Sequence, residues 1–431
     1  LEGGTELDVL VIGGGPAGST VSTLLARKGW RVGLLEKDLH PRFHIGESLL
    51  PCNLPIFERL GVLDDVARIG VPKLAADFSM PDSAAFTRVD FSKALRPIPP
   101  SAFQVRRSEF DHLLLRKAAE SGVAVAEETR VVAVDLDRGG RVHVHASNGN
   151  GSASAWTARF LIDASGRDTF LGRQLDLKKR HPKHTSAAIY GHFEGVEHRP
   201  GADSGNISIY WFRHGWIWLI PLTRGVMSVG VVAKPAYFQN RERVASALDE
   251  ALTLCPPARA RMAGARPIGE LTTTGNYSYS CDRMYGPNYL LLGDAFAFVD
   301  PVFSSGVFIA MSTAEGAAEA VHVWLTNPAA GAKLFRALER RVRRGIDRFW
   351  WFIDRFNEAA LQALFMRPVN VLGARTAVLS TLAGDIFGNW RLAFPLVVFR
   401  MLYKMKSWAG RRALGRNTGA EHVASERNLQ A

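Results

Sequence analysis

The chain has 431 residues, with 53 Lys and Arg against 41 Asp and Glu, a net charge of +12, and 47% apolar residues. At roughly 100–200 residues per domain this length suits two or three domains with cores of their own, and the composition excludes extensive disorder. Cys52, Cys255 and Cys281 are widely spaced and form no CxxC pair, which excludes a disulfide framework and a zinc ribbon and leaves no metal site to expect.

Asp8-Val9-Leu10-Val11-Ile12 reads as a short buried strand, followed at once by Gly13-Gly14-Gly15-Pro16-Ala17-Gly18 and a helical pattern to Gly29. A second strand, Val32–Leu35, ends in Glu36, near the spacing at which an acid meets a ribose. Gly13 permits the tight turn, Gly15 lets backbone approach a pyrophosphate, and Gly18 lets helix and strand pack closely. With strand, helix and terminal acid in place, the glycine pattern predicts dinucleotide binding.

Helical patterns recur at Pro51–Leu60 and Ser108–Glu120, and strands are expected at Val123–Ala126, Val131–Leu136, Val142–His145 and Phe160–Asp163. This mixture predicts an α/β domain. From about residue 185 to 235 strands dominate, at Ala187–Phe193, Ile207–Phe212, Trp216–Ile220 and Val226–Val232, which predicts a mainly antiparallel sheet. Tyr289–Leu292 then returns as a buried strand ending in Gly293-Asp294-Ala295, and a long helix is expected from Gly306 to Leu325, so the nucleotide domain is discontinuous.

Beyond Asn327-Pro328 the pattern is helical and rich in Arg and aromatics, and residues 331–431 hold 18 Lys and Arg against 7 Asp and Glu. The positive excess belongs almost wholly to this region. It suits an acidic protein partner or, through Trp390–Lys406, a peripheral contact with anionic membrane, although Pro395 is expected to break that segment. No recognition motif accompanies the charge, so nucleic acid is not expected. No apolar stretch reaches the ~18 residues of a transmembrane span and no signal-like segment opens the sequence, so a cytoplasmic location is expected.

Several motifs together resemble the FAD-containing class of the p-hydroxybenzoate hydroxylase type: the glycine turn, Leu161-Ile162-Asp163-Ala164-Ser165-Gly166, Leu292-Gly293-Asp294-Ala295, and Gln104-Val105-Arg106-Arg107 before a helix. The resemblance implies a Rossmann-like FAD-binding domain of the glutathione-reductase kind (residues 1–80, 101–175 and 270–328). It also implies an inserted, mainly antiparallel β-sheet substrate domain (81–100 and 176–269) and a helical basic C-terminal region (329–431). It assigns FAD contacts to Gly13, Gly15, Ala17, Gly18, Glu36, Arg42, Ser48, Gln104, Arg107, Asp294, Pro301 and Gly306.

Four further segments narrow the resemblance to the flavin-dependent halogenases acting on phenols and pyrroles. Phe43-His44-Ile45-Gly46-Glu47-Ser48-Leu49-Leu50-Pro51 is similar to that family's GES(L)LP segment, and Lys73 in Pro72-Lys73-Leu74-Ala75-Ala76 resembles its essential lysine, with Ala75 where the family more often has glycine. Trp216-Ile217-Trp218-Leu219-Ile220-Pro221 matches the WxWxIP signature, whose two indoles share one strand face and, in the family, keep substrate from the flavin. In Asp300-Pro301-Val302-Phe303-Ser304-Ser305-Gly306 the backbone N–H groups of Ser305 and Gly306, opening a helix, are the implied halide site. Phe303 replaces the glutamate of tryptophan-specific members, which argues for a phenolic or pyrrolic substrate.

The resemblance implies that FADH2 and O2 oxidise chloride or bromide to hypohalous acid, which Lys73 directs to an electron-rich aromatic, as a haloamine or by hydrogen bonding. With one dinucleotide fingerprint, FADH2 is expected from a partner flavin reductase, and the aromatic is either free or tethered to an acyl or peptidyl carrier protein. The competing expectation is an FAD-dependent monooxygenase or a polyprenyl or alkene reductase of the same fold, which needs neither Lys73 nor the tryptophan wall.

Overall fold

A computed structural model describes residues 6–138, 140–181, 186–238, 241–275 and 278–428. Its first sheet runs Ala124–Ala126, Val32–Leu35, Leu7–Ile12, Ala153–Asp163, Arg141–Asn148, Thr129–Arg138, with Tyr289–Leu291 pairing in parallel against the end of Ala153–Asp163. Leu7–Ile12 and Val32–Leu35 are buried along their whole length, as expected of parallel strands covered on both faces. Helices Pro16–Arg27 and Arg107–Glu120 cover the sheet, and the long helix Gly306–Thr326 packs on Pro16–Arg27.

The second sheet has the order Arg266–Gly275, Ala187–Glu194, Val226–Ala233, Gly215–Pro221, Ile207–Phe212, Ala75–Ser79, Phe86–Asp90. All its pairings are antiparallel except that of Ile207–Tyr210 with Ala76–Ser79. Two of the expected domain borders therefore need correction: Ala75–Ser79 and Arg266–Gly275 lie in this sheet and not in the nucleotide domain. Their cross-strand hydrogen bonds decide membership, and sequence distance from the glycine turn does not.

Three strands, Ile207–Phe212, Gly215–Pro221 and Val226–Ala233, are buried on both faces. Period-two alternation splits their side chains: Trp211, Trp216, Trp218 and Ile220 join the main core, whereas Tyr210, Phe212, Ile217 and Leu219 join a separate core. The separate core is closed by helices Arg241–Thr253 and Pro256–Arg261, which lie inside the span expected to be mainly sheet.

Helices Pro328–Ile353, Ala359–Met366, Ala374–Leu382 and Ala393–Asn428 complete the chain. Pro395 does not break the last one. It is the third helical residue, in a turn whose N–H groups have no intrahelical partner, where proline costs no hydrogen bond. Trp211 ties the second sheet to these helices: its Nε1 donates to the Phe356 carbonyl at 3.1 Å, and its ring lies 5.5, 5.0 and 6.4 Å from Phe78, Phe356 and Phe365. Trp211→Ala is expected to lower unfolding free energy by about 3–5 kcal/mol, read from the denaturant midpoint.

Candidate active site

A cavity of about 490 Å³ opens between the two sheets, at the carboxyl ends of the parallel strands, where open α/β sheets bind ligands. Its floor is the glycine turn. Gly13 has φ +98°, and a Cβ there would lie 2.4 Å from the Ala164 carbonyl oxygen; at Gly18 a Cβ would lie 1.9 Å from the Gly13 oxygen. Only glycine fits either place. Gly15, by contrast, faces open space. The helix it precedes has no side-chain cap and no acid in its first turn, so its N–H end is left to an anionic ligand.

Glu36 is buried at the tip of its strand and lines the cavity, its oxygens accepting from the Gly14 N–H at 2.7 Å and the Asp38 N–H at 2.9 Å. Arg42 stands 3.7 Å from Glu36, also on the lining. Arg107 donates twice to Asp111, at 2.7 and 2.9 Å, and once to the Ile45 carbonyl at 2.8 Å, which fixes its guanidinium against the cavity. Asp294 lies on the opposite wall; burial raises its carboxyl to about 6, opposed by the positive Arg107 and Arg167. Ala17, Ser48, Pro301 and Gly306 complete the expected residues on the lining.

Gln104 is not on the lining and its expected cofactor contact is corrected. Its side chain is fully buried and donates to the Gly205 carbonyl at 3.1 Å, while its backbone bridges to Ser48, so it holds the GES segment from behind. Gly18 likewise acts from beneath the turn. Ser304, with φ +56°, turns the chain into helix Gly306–Thr326. Ser305 precedes that helix without capping it through its side chain, and its buried hydroxyl has no partner. An uncapped helix start beside an unsatisfied hydroxyl fits a small anion. Phe303 is buried among Phe349, Phe352 and Phe356.

Trp216 and Trp218 stand side by side on the cavity wall, ring centroids 5.7 Å apart. Trp218 Nε1 donates to Ser228 Oγ at 3.2 Å, and its ring lies over Gly230, where a Cβ would come within 2.3 Å of it. The Trp218 side of the wall therefore has its place because a side chain is missing on the neighbouring strand.

Lys73 ends strand Gly70–Lys73, paired with Ala102, and is 1% exposed. Its Nζ donates to Ser48 Oγ at 2.8 Å and to the Leu49 carbonyl at 3.0 Å, with the Phe91 ring centroid 5.2 Å away. Ser48 thus lies between the cavity and the amine. Burial pulls the Lys73 amine down to about 7.

Sequence reading missed two supports. Asn206 Oδ1 accepts the N–H groups of Leu74 and Ala75 at 3.2 and 2.9 Å, just past Lys73, and Gly205 packs so closely that a Cβ would lie 2.0 Å from the Pro72 oxygen. Ala75, where glycine is commoner, is fully buried and fits this clamp. Glu47, buried on the lining, pairs with His192 at 2.8 Å. Among the described residues no group of three or more His, Cys, Asp or Glu is placed to hold a metal ion.

Glycine cradle, free helix end, and carboxylates at both ends of one cleft define a class of protein, the FAD-dependent enzymes of this two-sheet fold. The FAD binding domain family model matches residues 6–345, which covers most of the chain. A 1H-pyrrole-2-carbonyl-[peptidyl-carrier protein] chlorinase of Pseudomonas fluorescens is 30% identical over 90% of this chain and 91% of its own. A tryptophan 2-halogenase of Chondromyces crocatus is 35% identical over 73% of this chain and 60% of its own. The myxobacterial chondrochloren halogenase CndH superposes with a TM-score of 0.78 at 29% identity, covering 94% of this chain and 97% of that one.

The chain belongs to the flavin-dependent halogenases. It is an FAD-dependent oxidoreductase that uses halide and O2, and the monooxygenase and alkene-reductase expectation gains no support. Asn206→Ala is expected to cost about 1–3 kcal/mol of stability and to free the Lys73 strand. Lys73, inert to an amine-acylating reagent in the parent, should then become labelled, as read by mass spectrometry of the Lys73 peptide.

Proposed function

We propose that this halogenase separates oxidant formation from oxidant use, and that Lys73 carries the halogen between them. Reduced FAD bound in the cavity supplies, with O2, the two-electron oxidation of chloride or bromide to hypohalous acid. Gly13, Gly15 and Ala17 receive its diphosphate, with Gly18 letting the turn close beneath them, and Glu36 and Arg42 take its ribose side. Asp294, Arg107, Ser48, Pro301 and Gly306 line the remainder. The N–H groups of Ser305 and Gly306 hold the halide, with the free Ser305 hydroxyl as a further donor.

The observation that carries the role of Lys73 is its hydrogen-bond count. Nζ faces two acceptors, Ser48 Oγ and the Leu49 carbonyl, and neither is a carboxylate. A neutral amine has two N–H bonds to give them and keeps its lone pair free; an ammonium would carry a third donor with only an aromatic face nearby. The neutral form at pH 7 is the nucleophile. Its lone pair attacks the halogen of hypohalous acid, an N–X bond forms as the O–X bond breaks, and hydroxide takes the amine proton to leave water. The aromatic ring then takes the halogen from nitrogen and loses a proton, and the amine is restored.

Trp216 and Trp218 keep the ring to be halogenated away from the flavin. The substrate is an electron-rich aromatic, phenolic or pyrrolic. Phe303 in its aromatic cluster supports this class over free tryptophan, and likeness over nearly full length to a pyrrolyl-carrier chlorinase supports a carrier-tethered acyl group. A separate flavin reductase supplies FADH2, since one dinucleotide turn is present in the sequence. Among the described residues no helix is long and apolar enough to cross a membrane.

Supplied with FADH2, O2, halide and a pyrrolyl-carrier substrate, the protein should yield product with halogen isotope patterns, detected by mass spectrometry. Lys73→Met should keep consuming FADH2 and halide but release hypohalous acid to a trapping thiol, with product down by about 100-fold or more. A Lys73→Met protein that halogenates normally ends the assignment. In the parent, single-turnover halogen transfer should rise with pH through about 7, as the amine loses its proton.

Stability gives an independent check. The folded-state value lies below that of the unfolded chain, so the cost of burying the amine is greatest below about 7 and vanishes near 10.5. Lys73→Met is therefore expected to unfold at higher denaturant than the parent at pH 6, the gap narrowing as pH rises above about 7.

A further inference from the structure

The last helix, Ala393–Asn428, has two unlike long faces. Leu392, just before it, and Leu396 and Phe399 are buried, and Phe399 meets Trp351 and Phe352 with ring centroids 6.0 and 5.8 Å apart. Arg400 lies over the Trp351 ring at 5.2 Å. This inner face is satisfied by the protein.

The outer face is not. Trp390, Phe394, Met401, Met405 and Trp408 are each more than half exposed, and Val397 nearly so. Trp390 stands in the short turn before the helix; at about 100° per residue the other five fall within an arc of about 80°, opposite the buried face, and Phe394 to Trp408 span about 21 Å. Val369 and Leu372, in the turn before helix Ala374–Leu382, add two more exposed apolar side chains, and Gly373 beside them approaches Pro395. A solvated surface has no use for such a ridge.

Its charge surroundings are one-sided. From Ile386 to Ala420 the sequence has no Asp or Glu and seven cations: Arg391, Arg400, Lys404, Lys406, Arg411, Arg412 and Arg416. The first six have exposed or partly exposed side chains. On the same wheel Arg400, Lys404 and Arg411 flank one border of the apolar arc.

We propose that this ridge is a membrane-surface anchor: the helix lies in the plane of an anionic lipid surface, its Trp, Phe and Met side chains entering the headgroup boundary and its cations meeting lipid phosphates. An apolar arc bordered by Lys and Arg, with tryptophan at each end, is the pattern of an interfacial helix. A second copy of the chain fits worse. A heptad seam from Phe394 would run through Val397, Met401, position 404 and Trp408, and position 404 is lysine. Two copies of this acid-free cationic stretch would also repel one another. An acidic protein would answer the cations, but it leaves unexplained why Trp390, Met405 and Phe394 are each more than 60% exposed.

The test uses the full chain with FAD bound, sedimented with vesicles of phosphatidylcholine or of phosphatidylcholine doped with phosphatidylglycerol. Association with the anionic vesicles only, weakened at about 0.5 M salt, is expected. Met401→Asp with Met405→Asp should reduce it by about tenfold or more, as should Arg400→Gln with Lys404→Gln. Val132→Asp, an exposed apolar position on the first sheet, should leave it unchanged. Halogenation of a water-soluble substrate should survive in all three, which separates this proposal from the reading of Lys73. No association with anionic vesicles overturns the proposal. So does a dimer in sedimentation equilibrium that Met401→Asp dissolves, or an acidic carrier protein that binds the parent, but not these variants, in the absence of vesicle binding.

Discussion

The constraint on which the site depends is the burial of one amine without a counterion. Taking a lysine out of water costs several kcal/mol unless it sheds its proton, and here burial pulls the Lys73 amine down to about 7 with no carboxylate among its hydrogen-bond partners. A carboxylate beside Nζ would restore the ammonium and abolish the lone pair. Among the described residues the hydrogen-bond partners of Nζ are a serine hydroxyl and a backbone carbonyl, both neutral. Asp77, on the next strand of the same segment, is turned to Asn206 and Arg199, and its own burial lifts its carboxyl to about 7.

Such an amine is useful only if its backbone cannot drift toward water. The chain leaves the small pairing with Ala102 at Lys73 and enters the large sheet at Ala75, so the lysine is the last residue of one ladder, at a sheet-to-sheet crossing where no ladder holds Leu74. Asn206 supplies the missing acceptor for both intervening N–H groups, and Gln104 holds the Gly205 carbonyl. The clamp and the wall belong to one structure, because Asn206 leads directly into the strand Ile207–Phe212 that pairs with the tryptophan strand. The tryptophan wall and the Lys73 segment are thereby fixed to each other through a single hairpin.

How much of this was legible in sequence follows from the range of each interaction. The glycine turn, Glu36, Asp294 and the two tryptophans are set by local period and turn chemistry, and the structure puts all of them on one cavity. The strands from Ala187 to Ala233 were legible because alternation within a strand is local, but the helices Arg241–Thr253 and Pro256–Arg261 were not. They are closed against the sheet's outer face by contacts that no short window contains. Asn206 reaches Leu74 across 132 positions, and nothing in its own neighbourhood marks it. Gln104 was given the wrong partner for the same reason: a glutamine before a helix reads as ligand-facing, and only the position of Gly205 shows that it faces inward.

The same logic explains why the tryptophan strand tolerates so little variation beneath it. Each inward indole displaces the volume of a neighbouring side chain, and the sheet has absorbed this by placing Gly230 under Trp218 while Tyr190, paired with Gly230 on the far side, comes within 6.0 Å of the same ring. A larger residue at 230 has two ways to relieve the clash: tilt the indole into the cavity or separate the strands. The first narrows the flavin site and the second opens a path for substrate to reach it. A wall built from large side chains therefore draws its position from a small one on the adjacent strand.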